Sequence, residues 1–433
     1  MAEAKEERHM DTRYEATEDF ARSKDDGDPL RVFRERFHFP KTESGDDPVY
    51  FTGNSLGLQP KKARAYVDQE LADWESLAVE GHLHAKHPWL PYHEFLTKQM
   101  ATVVGAKPSE TVVMNSLTVN LHLMMVSFYR PTSDRFRIMI EGNAFPSDQY
   151  AVKSQLAFHG FEPGSGLIEV LPRHGETWLR TEDIVESIEK HTDSLSLVMF
   201  GGVNYFTGQA FDLKAITEAG HKAGAVVGFD LAHAAGNIPL KLHDSGADFA
   251  VWCSYKYLNA GPGAVAGVFV HERHARAFDL PRFAGWWGHD KTSRFQMGPD
   301  FEPIEGAEGW QISNPPILQM AALRASLEIF EEAGMEALGE KSRELTGYLG
   351  FFLEGIGDER ISVITPGDPA QRGCQLSIRV RNADRSLFER LTSQDVFADW
   401  REPDVIRVAP VPLYNRFLDV YRFSEKLRTA LAG

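Results

Sequence analysis

The sequence predicts an α/β fold in which a large domain with a mainly parallel sheet is followed by a smaller α+β domain. Between residues 101 and 270, short apolar runs alternate with amphipathic helical segments, as in such a sheet. Farther along, residues 375–380 and 405–408 alternate apolar and polar side chains like antiparallel strands. A chain of 433 residues also favours two domains over one. We expect an N-terminal arm at 1–48, the large domain at 49–310 and the small domain at 311–433.

The first 30 or so residues are polar and include the charged run KDDGD at 24–28. We expect them to form a partly loose arm or a surface helix that packs with the small domain. The start of the chain lacks the apolar segment of a secretory signal, and no stretch approaches the ~20 apolar residues of a membrane span. The sequence therefore predicts neither feature.

The overall charge limits the classes of partner. There are 46 Lys and Arg residues against 62 Asp and Glu residues, which gives a net charge of −16. This balance argues against nucleic acid or an anionic membrane as a partner. Two cysteines, Cys253 and Cys374, are too few for a disulfide framework or a cysteine-rich metal site. A reducing, cytoplasmic location fits this composition.

The first ordered segment is predicted near residue 49, where a short strand leads into the turn TGNSLGL at 52–58. Its glycines permit tight backbone turns, and Ser55 offers a side-chain hydrogen bond. Pro60 is a favourable residue for opening a helix. The apolar face of that helix is expected to contain Ala63, Val67, Leu71 and Trp74.

A loop at 81–93 contains four histidines, which are His82, His84, His87 and His93. A metal site is one interpretation. However, their spacing is irregular and no Cys or Asp cluster lies beside them. We therefore favour a loop that shapes a pocket and predict no metal.

Two strand-to-helix junctions follow in the large domain. The run at 112–114 leads through Leu117 and Thr118 into a helix, and the run at 137–140 leads through Phe145, Ser147 and Asp148 into another. Free N–H groups and the positive end of the helix dipole make such helix starts suitable for phosphate. Thr118 and Ser147 could equally be ordinary helix N-caps, and Phe145 could stack on a planar ring or belong to the core.

The central stretch is VVGFDLAHAAGNIPLKLHDSGADFAVWCSYKY at 226–257. Its two apolar runs read as buried strands, one ending at Asp230 and the other just before Tyr255 and Lys256. Open α/β sheets place ligands at the carboxyl ends of strands. A lysine that can bond a carbonyl and an aspartate that can face a pyridinium nitrogen are what pyridoxal phosphate (PLP) requires. A buried Asp–Lys ion pair without a cofactor remains the alternative.

Two features of the later sequence call for partners. Trp286 and Trp287 lie in a glycine-flanked loop and are expected to face a pocket or another subunit. Arg407 lies within an apolar strand, where a guanidinium needs an anion. Either a substrate carboxylate or a structural Asp or Glu would serve, and the residue by itself slightly favours the structural partner.

The chain resembles the kynureninases, which belong to the fold-type-I group of PLP enzymes. The DxAH pattern followed by a lysine is typical of the wider group, whereas GWWGH, ISNPPI and RVAPVPLYN are particular to kynureninases. The similarity extends from residue 53 to residue 415, which leaves out about the first 40 residues. The matching segments are GNSLGL, NSLTVNLH, FPSDQYA, DLAHAAGN, CSYKYLNAGPG, GWWGH, ISNPPIL, RGCQLSI and IRVAPVPLYN.

The resemblance implies a role for each matching residue. Lys256 would hold the cofactor covalently, Asp230 would pair with its ring nitrogen, and Tyr255 would act at the phosphate or in proton transfer. Trp286 and Asn314 would reach the cofactor of the neighbouring subunit in a homodimer. The remaining cofactor-binding residues would be Leu117, Thr118, Phe145, Ser147, Asp148, Thr207 and His233. The substrate-binding residues would be Arg407 at the α-carboxylate, with His82, Ser55, Trp287 and Asn314 around the aromatic end.

The implied reaction is PLP-dependent hydrolysis of L-kynurenine or 3-hydroxy-L-kynurenine to an anthranilate and L-alanine in tryptophan degradation. One alternative is a cysteine desulfurase or selenocysteine lyase, which would require a mobile nucleophilic cysteine. Cys253 lies within a predicted strand and Cys374 begins another, so neither fits that role. A second alternative is a protein that binds PLP without turnover, although Lys256, Tyr255 and Arg407 are all present.

Overall fold

The computed structural model describes residues 13–432, so residues 1–12 of the predicted arm and residue 433 lie outside the described residues. The helices are α1 (Glu18–Asp26), α2 (Lys62–Leu77), α3 (Gly81–His84), α4 (Glu94–Val104), α5 (Leu117–Phe128), α6 (Pro146–Phe158), α7 (Pro163–Gly166), α8 (Thr181–Lys190), α9 (Leu213–Lys222), α10 (Leu242–Ser245), α11 (Ile317–Ala333), α12 (Met335–Ile356), α13 (Arg385–Thr392) and α14 (Phe417–Ala432). The strands are β1 (Phe37–His38), β2 (Val49–Tyr50), β3 (Gln59–Pro60), β4 (Thr111–Val113), β5 (Arg137–Glu141), β6 (Leu167–Val170), β7 (Leu195–Gly201), β8 (Val226–Asp230), β9 (Phe249–Trp252), β10 (Gly267–Val270), β11 (Ile361–Val363), β12 (Leu376–Val380), β13 (Val396–Phe397), β14 (Asp399–Arg401) and β15 (Val405–Val408).

The large domain is built on a seven-stranded sheet with the order β4-β10-β9-β8-β7-β5-β6. Strands β6, β5, β7, β8 and β9 run parallel, whereas β10 is antiparallel to both β9 and β4. The reversal follows from the connection after β9, because it contains no crossover helix of the kind that parallel neighbours require. The predicted mainly parallel α/β sheet is confirmed.

Helices cover both faces of this sheet, so successive strand residues enter opposite cores. In β5, Ile138 and Ile140 pack in one core with side chains of α5 and α6. Met139 points the other way and packs in a second core with residues of α4, α9 and α11. Because strand side chains alternate between faces, a central strand buried on both sides reads as a continuous apolar run.

The small domain contains the antiparallel sheet β11-β12-β15-β14, which confirms the predicted α+β architecture. Helices α12 and α14 share its core with strand residues such as Ile378 and Ile406. Strand β2 pairs in parallel with β13, and Val49 and Phe51 are buried in this second domain's core. The segment at 49–51 therefore packs with the small domain, although we expected it in the large one.

The second predicted boundary, at residue 311, also differs from the observed packing. Met320, Leu323 and Leu327 of α11 lie in the large-domain core with α4. Leu338 in the first turn of α12 belongs to that core as well, whereas Leu345 and later residues of α12 belong to the small-domain core. We propose that the two domains divide within α12.

The N-terminal arm is attached to the small domain through α1. Asp25 accepts hydrogen bonds from Phe417 N (2.7 Å) and Leu418 N (3.1 Å), which lie at the start of α14. Lys341 of α12 forms an ion pair with Asp28 at 2.7 Å, and both side chains are buried. These contacts explain why this polar segment packs against α12 and α14 despite its composition.

The predicted apolar face of α2 is only partly buried. Ala63 is buried, but Leu71 and Trp74 are 41% and 62% exposed. The carboxylate of Glu70 is buried in their place, where it accepts hydrogen bonds from Tyr92 Oη (2.9 Å) and Trp89 Nε1 (3.1 Å). The prediction therefore holds for Ala63 and is wrong for Leu71 and Trp74, because a buried acid with donors from the loop at 81–93 occupies part of the helix's inner face. Among the helices at 13–432, none is long and apolar enough to span a membrane.

Candidate active site

Asp230 and Lys256 lie at the carboxyl edge of the large sheet. Strands β8 and β9 are adjacent and parallel, so Asp230 at the end of β8 and Lys256 four residues after β9 emerge on the same side. A cavity of about 110 Å³ opens between them. Its lining includes nine of the predicted residues, namely Leu117, Thr118, Phe145, Ser147, Asp148, Asp230, His233, Tyr255 and Lys256.

The Lys256 amine lies 3.0 Å from His233 Nε2. Burial lowers the pKa of the His233 imidazole well below its usual range, and the positive charges of Lys256, Arg407 and Arg401 lower it further. The ring is therefore neutral at physiological pH and can hold the lysine amine without adding a charge. Its buried Nδ1 has no hydrogen-bond partner among the described residues.

Three carboxyl groups, those of Asp230, Asp148 and Glu141, share the cavity with Lys256. Burial raises the pKa of Asp230, although Ala232 N donates a hydrogen bond to its Oδ1 at 2.7 Å. Burial raises the pKa of Asp148 well above the usual value, and the neighbouring Asp230 and Glu141 add to this rise. Three buried acids beside one lysine cannot all be ionised, so the site holds protons on some of them at neutral pH.

Helices α5 and α6 begin at the same cavity. Thr118 Oγ1 and Ser147 Oγ are 3.0 Å apart, each on the second residue of its helix. The N-cap positions are occupied by Ser116 and Phe145 instead, so Thr118 and Ser147 are not the N-caps that we considered as the alternative. Two helix starts with converging hydroxyl groups form a suitable site for a phosphate.

Aromatic side chains form the walls of the cavity. Phe145 is 42% exposed and is therefore not a core residue. Its ring centroid is 5.8 Å from Lys256 Nζ, and the Tyr205 ring meets it edge-on at 5.1 Å. Burial raises the pKa of the Tyr255 phenol, so this group carries its proton at neutral pH. A planar ring bonded to Lys256 would lie within reach of Phe145.

Arg407 is buried outside the cavity lining and contacts it through Tyr205. One terminal nitrogen, Nη1, donates to the Tyr205 carbonyl at 2.5 Å, and the other forms an ion pair with Asp399. Asp399 also pairs with Arg401 at 3.1 Å. Asp399 is therefore a structural acidic partner of the kind that the sequence slightly favoured for Arg407. Arg407 Nε, by contrast, is buried without a hydrogen-bond partner in the described part of the chain.

The other predicted site residues do not line this cavity in the single chain. Thr207 is buried and donates to Asn204 Oδ1 at 3.2 Å. Trp286 is 43% exposed, and Asn314 and Ser55 are exposed. His82 lies with its Nδ1 at 2.9 Å from the Val79 carbonyl, and Trp287 is buried below the Arg294 guanidinium, which is 4.4 Å from its ring centroid.

Sequence reasoning missed five residues of the cavity lining, which are Glu141, Gly201, Val203, Tyr205 and Ala232. Glu141 is the last residue of β5, as Asp230 is the last residue of β8. An acid at the end of a buried apolar run was the signal used for Asp230, and the same signal could have identified Glu141. Tyr205 carries no such signal, because its place depends on how the loop after β7 folds back.

The four histidines at 82–93 do not converge on one point. His93 Nε2 lies 3.4 Å from Glu308, whereas His84 lies 3.7 Å from Glu80. By proximity alone, the groups Glu110–His243–His271 and His93–Glu94–Glu308 could hold a metal ion. In the first, the Glu110 oxygens already accept backbone hydrogen bonds from Lys107 (2.8 Å) and Glu272 (2.9 Å).

The residues around Lys256 suit the cofactor that the sequence predicts. Asp148 Oδ1 is buried without a hydrogen-bond partner among residues 13–432, and so is His233 Nδ1. A buried polar atom without a partner costs about 1–3 kcal/mol, so a polar ligand that reaches these atoms would be stabilised. The helix starts for a phosphate, the acids for a ring nitrogen and the lysine for a carbonyl surround one cavity.

Known proteins resemble this chain in sequence and in fold. Residues 338–427 match the model of the kynureninase C-terminal domain family. A kynureninase of Koribacter versatilis is 61% identical over 413 residues, which is 95% of this chain and 97% of the relative. A kynureninase of Myxococcus xanthus is 61% identical over 414 residues, covering 96% and 97%.

Solved structures show the same fold at low sequence identity. An apo cysteine desulfurase from Thermococcus onnurineus superposes with a TM-score of 0.75 at 16% identity, covering 93% of this chain and 98% of the desulfurase. A cystine C–S lyase in complex with cysteine persulfide has a TM-score of 0.74 at 16% identity, covering 88% and 97%. At 16% identity these structures show only a shared fold. The family is shown by the relatives that are 61% identical to this chain. By sequence identity over nearly its whole length, the chain belongs to the kynureninase family.

Proposed function

We propose that this protein hydrolyses L-kynurenine, 3-hydroxy-L-kynurenine or both to the corresponding anthranilate and L-alanine at the Lys256 cavity, with PLP as cofactor. The observation that carries the proposal is the Lys256 amine, held 3.0 Å from His233 in a cavity that also contains Asp230. Identity of 61% to kynureninases over nearly the whole chain supports the choice of reaction.

The cofactor, when bound, supplies an electron sink for the electrons released at the substrate α-carbon. Asp230 would hold a negative charge against the ring nitrogen. Thr118 and Ser147 at the two helix starts would hold the phosphate, with Leu117 and Asp148 beside them. Phe145 would lie against the ring face.

Lys256 would both hold the cofactor and move a proton at the α-carbon of the substrate. Neutral His233 accepts or donates one hydrogen bond at Lys256 Nζ and so keeps the amine directed into the cavity. Cleavage between Cβ and Cγ requires water to add to the γ-carbonyl and a proton to be moved there. Tyr255 is our candidate for this transfer because its phenol stays protonated. A role confined to anchoring the phosphate fits the same position.

Arg407 would hold the α-carboxylate of the substrate. Its Nη atoms are occupied by Tyr205 and Asp399, which fix the plane of the guanidinium. The buried Nε has no partner among the described residues, so its N–H group can donate to a ligand. His82, Ser55, Trp287 and Asn314 would border the aromatic end of the substrate.

The active unit would be a homodimer in the cytoplasm, in which Trp286 and Asn314 reach the cofactor of the other subunit. In the single chain both residues are exposed and lie away from the cavity lining. Trp74, Val79 and Leu83 are further apolar side chains that are each 60–72% exposed.

The direct test is the release of fluorescent anthranilate from kynurenine by the purified holoprotein. Lys256→Ala should lower turnover at least ~10³-fold while some PLP remains bound, because the variant loses both the covalent link and the proton-transferring group. Lys222→Ala, which changes a 75% exposed lysine, is the control and should remain active. A holoprotein that releases no product from either substrate would refute the proposed function.

The desulfurase alternative is not supported. Both cysteines are buried, Cys253 with 3% and Cys374 with 0% exposure, so neither is a mobile nucleophile. Burial also raises the pKa of both thiols, and a thiol that keeps its proton is a weak nucleophile.

A further inference from the structure

Glu141 is a buried acid in the cofactor cavity to which the mechanism above gives no role. It is the last residue of β5, and its side chain lines the cavity with Asp148 and Asp230. Only 4% of the residue is exposed, and its Oε2 accepts a hydrogen bond from Gly201 N at 3.0 Å. No lysine or arginine forms an ion pair with it within residues 13–432, and a buried carboxyl without a counter-charge is uncommon outside functional sites.

The sheet places Glu141 and Asp230 on either side of Gly201. In the register of β7 and β8, Gly201 lies opposite Asp230, and β5 is the next strand on the other side of β7. A Cβ atom added to Gly201 would lie 2.9 Å from Glu141 Oε1, which is closer than Cβ contacts normally are. The glycine therefore leaves the space into which the Glu141 carboxyl fits, at the same sheet edge as Asp230.

The titratable groups that can influence the charge on Glu141 lie in the cavity and not on the neighbouring strands. Burial raises its pKa to about 7, the hydrogen bond from Gly201 opposes the rise, and the Asp230 carboxyl adds to it. On the flanking strands, Glu141 lies beside Val170 of β6 and Gly201 of β7, which carry no titratable side chain. The titratable groups of the shared cavity are Asp148 of α6, Asp230 of β8, His233, Tyr255 and Lys256.

We propose that Glu141 is a positioning residue of the cofactor site. Its carboxyl lies across Gly201 from Asp230 and sets how much negative charge Asp230 and its surroundings present to the cofactor ring. When Glu141 carries a proton, Asp230 has no neighbouring negative charge on that side. When Glu141 ionises, the negative charge beside Asp230 increases. This additional negative charge stabilises every positively charged form of the ring and of the nitrogen bonded to it. This inference rests on the proposed PLP-binding function of the cavity.

The test is the pH dependence of the visible absorbance of bound PLP in the reconstituted holoprotein. Glu141→Gln keeps an oxygen for the Gly201 N–H but removes the ionisable group. We expect the midpoint of the absorbance change to fall by about one pH unit, the shift that one unit charge ~10 Å away produces at an effective dielectric constant of about 20. Glu186→Gln, which makes the same change on the exposed face of α8, is the matched control and should leave the midpoint unchanged.

A second variant covers the case in which Glu141→Gln does not retain the cofactor. Gly201→Ala keeps the carboxyl but places a methyl group against Glu141 Oε1, so it should also shift the midpoint. Because Asp148 and Asp230 can also carry protons in this cavity, the band of Glu141 is taken from the infrared difference between the wild-type and Glu141→Gln apoproteins. That difference should show a protonated carboxyl at pH 6 and lose it above a midpoint of about 7. A purely structural role would leave the absorbance midpoint unchanged.

The outcomes separate this inference from the proposed function. A midpoint equal to that of the wild type in a cofactor-bearing Glu141→Gln or Gly201→Ala variant overturns the role of Glu141 and leaves the kynureninase function untouched. Absence of a protonated-carboxyl band from the difference between the wild-type and Glu141→Gln apoproteins overturns it as well. Failure of the wild-type protein to bind PLP, by contrast, overturns the proposed function itself.

Discussion

At the scale of single residues, Arg407 shows how a side chain can be fixed by the protein and still keep a donor for a ligand. Tyr205 and Asp399 each accept a hydrogen bond from one of its two terminal nitrogens, while Nε has no acceptor in the described part of the chain. A buried N–H group that the protein leaves without an acceptor is costly unless a ligand fills the gap. We propose that a substrate carboxylate binds the same guanidinium as Asp399.

Arg407→Lys tests this arrangement. A lysine provides a point charge and cannot reproduce the planar fork that contacts Tyr205 and Asp399. Loss of a charged hydrogen bond to the substrate costs about 1.5–3 kcal/mol, so we expect KM for kynurenine to rise about 10–100-fold. Turnover at saturation should fall less than KM rises.

Steady-state kinetics with kynurenine provide the measurement. Arg385→Lys, at an arginine whose side chain is 66% exposed at the start of α13, should leave both constants unchanged. An unaltered KM in Arg407→Lys would show that the guanidinium has only its structural partners Tyr205 and Asp399.

At the scale of elements, the attachment of the N-terminal arm depends on contacts that are distant in sequence. The ion pair between Asp28 and Lys341 joins the arm to α12, and neither side chain is more than 7% exposed. Burial lowers the pKa of Lys341, and the Asp28 carboxylate opposes that shift. Removal of one partner leaves the other as a buried, uncompensated charge.

Asp28→Asn should therefore lower the free energy of unfolding by about 3–5 kcal/mol, as measured by chemical denaturation. The double variant Asp28→Asn with Lys341→Met should recover most of that loss because it removes both charges. Glu344→Gln changes the partner of Lys24 in a pair that is 36% and 44% exposed, and it should cost at most about 1 kcal/mol. Equal losses in the buried and the exposed pair would contradict the buried attachment.

At the scale of the whole molecule, the two tryptophans and Asn314 separate into different environments. Trp287 is packed within its own chain, whereas Trp286 and Asn314 are exposed. In the proposed homodimer, each cavity would combine Lys256 of one subunit with Trp286 and Asn314 of the other. This arrangement can be tested by mixing two inactive variants.

Lys256→Ala and Trp286→Ala homodimers should each have low activity, but subunit exchange should restore it. Random mixing gives one intact cavity in half of the dimers, so we expect about a quarter of the wild-type activity. Activity measured after denaturation and refolding of the mixture provides the readout. The Lys256→Ala variant refolded alone serves as the control. A mixture of the two variants that stays inactive would contradict cavities shared between subunits.

Much of the fold could be predicted because strand ends are marked locally. The apolar runs that stop at Asp230 and before Lys256 are seen in the sequence, and parallel neighbouring strands must bring their ends to one edge. The same rule brings Ser147 after β5 to the cavity, whereas Thr118 after β4 reaches this edge because β10 is antiparallel to both β4 and β9. The prediction was less successful for α2, since the burial of Glu70 depends on Tyr92 and Trp89 rather than on periodicity.

The sequence by itself determined the kynureninase resemblance, the α/β class and the residues at the strand ends, since each is carried by residue identity and local pattern. Only the tertiary structure decided that α11 packs in the large-domain core, that Asp399 pairs with Arg407, and that Glu141 lies across Gly201 from Asp230. The reason is physical. Burial and pairing of a charged group depend on the side chains that surround it in space, and most of these are far away along the chain.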